Sequence, residues 1–508
     1  MLSALIWIPA IAAFLIGLSP RSWPPAIART VALTSAAITF LLSVVLAIQF
    51  DGLEPLAQFR ETIPWIETLG LSYQLGVDGL SLPLVIINSL LTWIALYSSP
   101  KDIQRPWLYY SLVLFLNVGV AGAFLAQNLL LFFLFYELEL VPLYFLIAIW
   151  GGARRGYAAT KFLIYTALSG ILVLAAFLGT VWLTGAPGFG YDTLSTQILP
   201  LSSQVPLLVL ILVGFGIKIP LVPLHTWLPD AHVEASTPIS VLLAGVLLKL
   251  GTYGLLRYGL QLFPDAWAVL APGLAIWAVI SVLYGAFTAI AQTDMKKMVA
   301  YSSIGHMGFI LLAAAAATPL SILGTVFQMV SHGLISAMLF LLVGVVYSKT
   351  GTRDITILRG LLNPERGMPL IGSLMVVGVM ASAGIPGMMG FISEFLVFRG
   401  SFPVFPVQTL LSMIGTGLTA VYFLLLVNRT FFGRLPDQFS NLPRVDWSER
   451  LPAIALAILI VFFGLQPSWL ARWSETTTTA MQTPIAAIAT VAHPLETPPP
   501  LPDPTQTF

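Results

Sequence analysis

Cysteine is absent from this 508-residue chain, and charged residues are scarce. Without cysteine the chain forms neither disulfide bonds nor thiolate-ligated iron–sulfur centres, and thiol catalysis is excluded. Aspartate, glutamate, lysine and arginine make up only 9% of the residues, whereas 57% are hydrophobic, which excludes a soluble globular protein. The net charge of +1 gives no indication of a nucleic-acid partner, and the sequence lacks a phosphate loop, a hydrolase triad and a nucleotide fingerprint.

The hydrophobic residues are gathered in runs of about 20, the length that spans a hydrocarbon core of roughly 30 Å. The first run lacks a basic leading segment and a small-residue cleavage site, so we interpret it as a retained helix rather than a signal peptide. The sequence therefore predicts an all-α polytopic membrane protein with fourteen spans. Their predicted limits are 2–18, 28–50, 78–98, 107–126, 128–150, 158–183, 205–220, 238–259, 267–291, 299–316, 320–347, 369–398, 406–432 and 451–466.

Basic residues are distributed unevenly between the two sets of loops. Seventeen of the 23 lysines and arginines lie in or next to the loops that follow odd-numbered spans. Four lie on the opposite side, and the last two, Lys218 and Lys249, lie within spans. By the positive-inside rule both termini are predicted on the non-cytoplasmic side. The proline-rich end, 497–504, predicts a disordered or extended tail.

Two predicted spans are interrupted by proline and glycine. The seventh breaks at 219–223 (IPLVP) and the twelfth at 383–390 (AGIPGMMG), because proline removes a backbone donor and glycine loosens a helix. Broken helices in matching positions predict two inverted five-helix repeats, spans 4–8 and 9–13, with the functional site at their interface. The predicted organisation is 1–106 (helices 1–3 and a non-cytoplasmic loop), 107–260 (first repeat), 261–435 (second inverted repeat) and 436–508 (last helix and tail).

Four ionisable side chains are predicted deep in the membrane: Glu137, Lys218, Lys249 and Glu394. A charge at that depth costs about 2.5–3.5 kcal/mol on insertion scales, which makes ion or proton transfer the first hypothesis. Because burial destabilises the charged form, a neighbouring charge can decide whether such a group holds a proton. We predict that Glu137 and Lys218 form an ion pair that opens and closes as a proton switch, the alternative being a static salt bridge between helices. For Lys249 the alternative is a lysine that snorkels to the surface.

Two histidines in spans ten and eleven are candidates for extending the path. His306 and His332 have hydroxyl neighbours and titrate near neutrality, so they suit a relay between Lys249 and Glu394, although a buried histidine is often only a hydrogen-bonding residue. Glu139 lies two positions after Glu137, about 200° round a helix. We therefore expect it on another surface, in a contact between helices or with another subunit, the alternative being a place in the same cavity.

Polar residues also follow the break in span seven. His225 and His232 lie near Asp230 and Glu234, but their spacing fits no familiar metal-ligand motif, so a metal site is not expected. Proton access from the cytoplasmic side, with His225 as the candidate, or a helix cap is the preferred interpretation. The pair 296–297 (KK) is predicted to anchor span ten at the cytoplasmic surface.

Three long motifs resemble the antiporter-like membrane subunits of complex I. They are 216–235 (GIKIPLVPLHTWLPDAHVEA), 240–254 (SVLLAGVLLKLGTYG) and 294–308 (DMKKMVAYSSIGHMG). The resemblance covers roughly 75–435. Because the chain ends soon after span fourteen without a long lateral helix, it resembles the chain-4 or M type. The segments 136–142 (YELELVP) and 150–155 (WGGARR) are similar to the D subunit of the cyanobacterial and chloroplast type I NAD(P)H dehydrogenase complex.

The resemblance implies a role for each of the deep polar residues. Glu137 and Lys218 match the switching ion pair, Lys249 the central lysine, and Glu394 the terminal acid that leads to the far side. His306 and His332 match positions on the hydrophilic axis. The segment 387–390 (GMMG) departs from the family pattern by lacking a smaller residue at the break.

The implied function is proton translocation within an NAD(P)H or ferredoxin–plastoquinone oxidoreductase. The chain would carry no cofactor, and iron–sulfur clusters and quinone would belong to partner subunits. Expected partners are hydrophilic and membrane subunits, among them a chain-5-type subunit, together with lipid and a carbon-uptake module. The last is suggested by the short start and by 398–405 (FRGSFPVF). The expected location is the cyanobacterial thylakoid membrane, with lumenal termini.

Two other functions remain open from the sequence. A stand-alone or Mrp-like sodium/proton antiporter chain would use the same lysines. A structural scaffold would carry inherited polar groups that no longer transfer protons. Replacing either deep lysine separates a scaffold from a translocating subunit, because a scaffold keeps normal proton transfer once assembly is confirmed.

Overall fold

The computed structural model describes residues 1–20 and 24–481, most of which form helices. Within these residues, eleven helices are long and apolar enough to cross a membrane, and three shorter apolar helices complete the predicted set: Leu2–Leu18, Leu82–Ser98 and Pro369–Ser382. The prediction of an all-α polytopic membrane protein with about fourteen spans is therefore confirmed. The predicted proline-rich tail lies outside the described residues.

The helices are numbered in chain order, and several spans contain more than one of them. They are α1 (Leu2–Leu18), α2 (Pro25–Gln49), α3 (Leu82–Ser98), α4 (Pro106–Leu125), α5 (Leu129–Leu138), α6 (Leu140–Trp150), α7 (Arg155–Thr184), α8 (Leu201–Lys218), α9 (Trp227–Glu234), α10 (Thr237–Leu242), α11 (Leu248–Gly254), α12 (Pro264–Ile290), α13 (Met295–Ala316), α14 (Pro319–Thr350), α15 (Pro369–Ser382), α16 (Met389–Ser401), α17 (Pro406–Phe431), α18 (Trp447–Leu465) and α19 (Ser468–Ala480).

Proline and polar caps determine where many helices begin. Proline is the first residue of α2, α4, α12, α14, α15 and α17, a position where its missing N–H leaves no hydrogen bond unmade. Asn128 accepts hydrogen bonds from the backbone N–H groups of Leu130 and Leu131 and so starts α5. Asp294 caps α13 in the same way. These local signals determine where the helices begin, whereas burial of apolar side chains stabilises their central turns.

Both predicted helix breaks are present. The first separates Lys218 at the end of α8 from Trp227 at the start of α9, and the second separates Ser382 from Met389. The first gap contains two prolines, which cannot donate to a helix ladder. The second contains two glycines with φ of 69° and 89°, a left-handed conformation that favours glycine. Each break therefore follows from its local sequence.

Two further spans are irregular in ways that the hydrophobic runs do not reveal. The predicted span 128–150 is two helices, α5 and α6, joined through a turn at Glu139. The span Thr237–Leu260 contains two π-helical stretches, Leu243–Leu247 and Leu255–Leu260, on either side of α11. Irregular turns of this kind re-aim side chains within a membrane helix, and both occur beside charged residues of the candidate site.

The non-cytoplasmic loop predicted after α2 contains a β-hairpin, an element that the sequence analysis did not predict. Strands β1 (Gln58–Ile66) and β2 (Leu71–Val77) pair antiparallel. The hairpin was missed because β1 contains Pro64 and leaves most of its side chains exposed, so it has little apolar alternation. The side of the bundle that carries this hairpin and the loop 185–200 is called the hairpin side, and the opposite side, with the basic loops, is called the basic side.

The interior of the bundle is formed by three spans. In their apolar windows, Thr237–Leu260 is 100% buried, Pro319–Thr350 94% and Met295–Ala316 89%. By contrast, Arg155–Thr184 and Pro406–Phe431 are only 39% buried and present large apolar side chains outward, as helices do that face lipid or other subunits. Polar groups on the three interior spans are therefore removed from both lipid and bulk water.

Candidate functional site

Six buried ionisable side chains lie in the interior of the bundle, each at most 7% exposed. They form two groups of contacts: Glu139 pairs with Lys218, and Lys249, His332, His306 and Glu394 follow one another in that order. The first three belong to the first repeat and the last three to the second. Four of the six spans involved are irregular or broken, so the backbone deviates from a regular helix where charge is buried.

Lys218 is paired with Glu139 and not with Glu137, which corrects the predicted pairing. The ammonium group of Lys218 donates to Oε1 of Glu139, and both side chains are almost completely buried. The prediction assumed one regular helix through both glutamates, on which Glu139 would face another surface. The turn at Glu139 between α5 and α6 removes that regularity and directs its side chain inward.

Glu137 lies on the other side of the same segment and is only partly buried. Its carboxyl group fills the space beside Gly170 of α7, where an added Cβ would collide with it. It remains within electrostatic reach of the Lys218 ammonium. Its predicted place in the proton relay is not decided by this geometry and stays a prediction.

The surroundings of Lys218 hold the ammonium group in place. Its Nζ lies 4.7 Å from the ring centre of Tyr136, a cation–π distance. The hydroxyl of Tyr136 is 2.8 Å from Oγ of Ser169. Oε2 of Glu139 is buried and forms no hydrogen bond with the described residues. A buried carboxylate oxygen in this position is available to accept a proton or a water.

Lys249 lies in α11 and does not snorkel, since it is only 1% exposed. Its Nζ donates to the backbone carbonyl of Ala244 at 2.6 Å and lies 2.7 Å from Nδ1 of His332. Ala244 belongs to the first π-helical stretch, whose widened turn leaves this carbonyl free to accept. His332 was predicted to lie near Lys249, and the two side chains are in direct contact.

His306 lies between His332 and Glu394. Its ring centre is 5.6 Å from that of His332, and its Nδ1 is 3.9 Å from Oε1 of Glu394. The amide of Gln328 is 3.2 Å from Nδ1, and Oγ of Ser382 is 3.1 Å from Nε2. These contacts fit a neutral ring that accepts at Nδ1 and donates at Nε2.

Glu394 projects from α16 just beyond the second helix break. Its Oε2 accepts a hydrogen bond from the hydroxyl of Thr416 at 2.9 Å. The break packs tightly against it: Gly390 approaches the carbonyl of Ala381 so closely that a Cβ would collide, and a Cβ on Gly384 would lie 3.0 Å from Oε2 of Glu394. The two methionines of 387–390 are accommodated without opening this contact.

A small polar cavity joins these last groups. It has a volume of about 10 Å³, roughly the space of one water molecule. Its lining includes His332, His306, Glu394 and Gln328, together with serine hydroxyls. Nε2 of His332 is buried without a hydrogen-bond partner among residues 1–20 and 24–481. One water here would reach the unpaired nitrogen and the carboxyl region together.

The polar residues after the first break form no hydrogen bond with the buried groups from Lys218 to Glu394 in the described part of the chain, but His232 lies within electrostatic reach of Lys249 and His332. His225 is 4% exposed and packs against the ring of Tyr284 at 4.8 Å, while its Nδ1 has no partner in the described part of the chain. His232 is fully buried and stacks on Phe340 at 4.5 Å, with both ring nitrogens likewise unpartnered. No cluster of three or more potential metal ligands occurs among the described residues.

Lys296 is not a surface anchor, which corrects the interpretation of 296–297. It is 4% exposed and its Nζ donates to the carbonyl of Ala235 at 2.6 Å. Lys296 therefore faces inward and contacts the residue that ends α9. Lys297 is only partly buried and keeps the surface position that was predicted for both lysines.

Sequence comparison identifies relatives along nearly the whole chain. A family profile described as "NADH:quinone oxidoreductase/Mrp antiporter, TM" matches residues 126–419. NAD(P)H-quinone oxidoreductase chain 4 2 of Thermosynechococcus vestitus is 41% identical over 490 residues, covering 94% of this chain and 91% of the relative. NAD(P)H-quinone oxidoreductase chain 4 1 of Synechococcus sp. (strain JA-3-3Ab) is 41% identical over 498 residues, covering 94% and 92%.

Solved structures show the same fold. A chain of respiratory complex I from Thermus thermophilus with bound NADH superposes with a TM-score of 0.87 at 27% identity, covering 96% of this chain and all of that one. A chain of the Mrp complex from Dietzia superposes with a TM-score of 0.85 at 20% identity, covering 97% and 99%. The second likeness shows a shared fold alone.

Proposed function

Because the chain belongs to the antiporter-like membrane subunits of complex I, in their chain-4 group, we propose that it moves protons across the membrane through its buried polar residues. Electron transfer would take place in other subunits of an NAD(P)H-quinone or ferredoxin–plastoquinone oxidoreductase. This division fits a chain without cysteine. Iron–sulfur clusters and quinone belong, in this proposal, to the partner subunits.

The observation that carries the proposal is the 2.7 Å contact between Lys249 and Nδ1 of His332, followed by a water-sized polar cavity that reaches Glu394. Proton transfer needs donors and acceptors within hydrogen-bond reach. In the proposed step, the Lys249 ammonium gives a proton to Nδ1 of His332. His332 releases its other proton from Nε2 to the cavity water, and Glu394 receives a proton from that water.

The Lys218 ion pair would control when this step occurs. While Lys218 is paired with Glu139, its charge is neutralised nearby and has little effect on Lys249. When the pair separates, the freed ammonium charge repels the proton on Lys249 towards His332, an effect strengthened by the low local dielectric constant. Glu137 lies within electrostatic reach and offers the ammonium an alternative carboxylate. In this proposal the step on Lys249 takes place while the Lys218 ammonium lies between the two carboxylates and is paired with neither.

Protons would reach Lys218 from the basic side. His225 lies in the first break, is almost fully buried and has an unpartnered ring nitrogen in the described chain, as expected of a group that exchanges protons through water. Under the positive-inside rule the basic side is cytoplasmic. In a cyanobacterial thylakoid, the membrane we propose, the hairpin side and both termini would then face the lumen.

The test is Lys249→Ala in the assembled complex, with Lys297→Ala as the matched control on the basic side. We expect Lys249→Ala to abolish or strongly reduce proton transfer per electron while the complex still assembles. Lys297→Ala should leave the ratio unchanged, because that lysine is only partly buried and contributes no contact to the site. Normal proton transfer in assembled Lys249→Ala complexes would refute the proposal and favour a structural scaffold.

Purification separates the proposed complex subunit from an independent sodium/proton antiporter. We expect an affinity-tagged chain to be recovered with hydrophilic iron-containing subunits, a chain-5-type membrane subunit and lipid. A carbon-uptake module among the recovered chains would assign this chain to the carbon-uptake form of the complex, which the resemblance of 398–405 suggests. Recovery with small membrane chains and no iron would overturn the assignment in favour of an Mrp-like antiporter.

A further inference from the structure

A layer of aromatic rings lies on the hairpin side of the Lys218–Glu139 pair. Its members, called the aromatic layer, are each at most 1% exposed. They are Phe124, Phe132, Tyr136, Phe177, Phe215, Tyr253 and Tyr258. Phe132 is the central ring, with ring centres 5.4 Å from Tyr136 and 4.6 Å from Tyr258. The rings come from α4, α5, α7, α8 and the span Thr237–Leu260, so the layer reaches across the first repeat.

A buried ion pair lies directly behind this layer. Nη2 of Arg257 donates to Oδ2 of Asp78, and the two residues are 5% and 2% exposed. Nη1 of Arg257 donates to Gln261 at 3.0 Å, and the guanidinium carbon lies 5.5 Å from the ring centres of both Tyr191 and Tyr253. The arginine is therefore held by a carboxylate, an amide and two aromatic faces at once.

Asp78 is equally well fixed. Its Oδ1 accepts hydrogen bonds from the backbone N–H groups of Leu80, at 3.1 Å, and Ser81, at 3.0 Å, at the start of α3. These bonds use the carboxylate oxygen that Arg257 does not contact. Both oxygens of the Asp78 carboxylate are therefore engaged by hydrogen-bond donors.

The order of these groups along the membrane follows from the helices that carry them. Phe132 and Phe215 lie on α5 and α8, which begin on the hairpin side and run inward to Glu139 and Lys218. Arg257 lies eight residues after Lys249, or about 12 Å along the same span. It also contacts Tyr191 in the loop 185–200 on the hairpin side. The layer and the ion pair therefore separate both deep lysines from the hairpin side.

The chemistry of this region opposes proton transfer. Arginine stays protonated at any physiological pH, so it neither accepts a proton nor gives one up. Of the phenol hydroxyls, that of Tyr136 is engaged with Ser169, whose own hydroxyl donates to the carbonyl of Gly214. The ring faces and edges of the phenylalanines provide no acceptor. The hydroxyl of Tyr253 is buried without a hydrogen-bond partner in the described chain. Among the described residues, no side-chain hydrogen bond links Lys218 or Lys249 across the layer to the Asp78–Arg257 pair, whereas Lys249 contacts His332 on the route to Glu394.

We propose that the Asp78–Arg257 pair and the aromatic layer form a seal that keeps protons from returning from the hairpin side to Lys249 through the first repeat. This inference rests on the proposed function and deepens it. If the first repeat is closed towards the hairpin side, protons leave the chain through Glu394. Arg257 acts here as a positioning residue: it holds the Asp78 carboxylate in place behind the layer. Without Arg257, Oδ2 of Asp78 would be a buried acceptor without its guanidinium partner, next to the aromatic layer.

The test is passive proton leak through the complete complex in sealed vesicles, with an imposed pH gradient and no electron donor. We expect Arg257→Gln to collapse the gradient several-fold faster than the wild type. Arg399→Gln is the matched control, since Arg399 also lies on the hairpin side but is exposed; its leak should equal that of the wild type. In the double variant Asp78→Asn with Arg257→Gln, the leak should fall again because the acceptor is gone.

The route of the leak provides a second criterion. Adding Lys249→Ala to Arg257→Gln should suppress the leak, because the leak is expected to pass through Lys249. An Arg257→Gln complex that assembles and leaks no faster than the wild type would overturn the seal, even where Lys249→Ala alone abolishes pumping. If Lys249→Ala alone still pumps, the proposed function fails, whatever the leak.

Aromatic variants keep the inference testable if Arg257→Gln does not assemble. Phe132→Ala removes the central ring and leaves the ion pair in place, whereas Phe132→Leu retains most of the apolar volume. We expect a faster leak from Phe132→Ala than from Phe132→Leu. Equal leaks at the wild-type rate from both assembled variants would also overturn the seal.

Discussion

Replacing Glu139 with glutamine tests the ion pair that distinguishes the structure from the sequence-based prediction. The change keeps the size of the side chain but removes the charge that neutralises Lys218. The two side chains are 0% and 1% exposed, so the lysine would be left buried without a counter-charge, at a cost of about 3–5 kcal/mol. Glu137→Gln removes a partly exposed carboxylate that pairs with no lysine or arginine in the described chain, a change worth at most about 1 kcal/mol.

The difference of roughly 3 kcal/mol between the two variants is large enough to measure. We expect the purified Glu139→Gln complex to denature at a clearly lower temperature than Glu137→Gln and to accumulate to a lower level in native gels. In the Glu139→Gln complexes that do assemble, proton transfer per electron should fall, because Lys218 loses the partner that holds it at rest. Lower stability of Glu137→Gln than of Glu139→Gln would refute the reasoning and return Lys218 to the pairing predicted from the sequence.

Two further substitutions test contacts that the sequence did not reveal. Gly170→Ala should displace the carboxyl group of Glu137, because the added Cβ would collide with it. That group is the flexible end of a partly buried side chain, so we expect a loss in stability of at most about 1 kcal/mol, and a fall in denaturation temperature as large as that of Glu139→Gln would contradict this. Lys296→Ala should destabilise the docking of α9 by about 1.5–3 kcal/mol, since it removes a charged donor to the Ala235 carbonyl. Lys297→Ala serves as the control in the same denaturation assay, and equal effects of the two would show that Lys296 has no special contact.

Much of the fold could be predicted because the membrane imposes simple rules on sequence. The hydrophobic thickness fixes the length of each span, and charge asymmetry between loops supports their number. Proline and glycine at 219–223 and 383–390 act through backbone chemistry alone, so both breaks were found within a few residues of their positions. The same rules drew attention to Lys218, Lys249 and Glu394, whose burial is visible as charge within an apolar run.

The pairing of these charges could not be predicted, because it depends on where helices depart from regular geometry. The turn at Glu139 is not marked by a glycine, and the proline at 142 comes after it. Regular helical spacing therefore pointed to Glu137. The hairpin was hidden for another reason: most side chains of its first strand are exposed, so that strand lacks the apolar alternation of a buried strand. Lys296 was misplaced because its partner, the Ala235 carbonyl, is brought near it only by the packing of α13 against α9.

The direction in which Lys249 points is determined by a count of residues rather than by any neighbouring side chain. A π-helical turn holds an extra residue compared with an α-helical turn, and one such stretch precedes Lys249 while another follows it. If the same residues of Leu243–Leu247 wound as a regular α-helix, with none deleted, everything beyond them would rotate by about 100°, the angle of one residue. The amine would then turn away from His332 with every polar side chain still present. Chain length within this helix is therefore as much a part of the site as the identity of its residues.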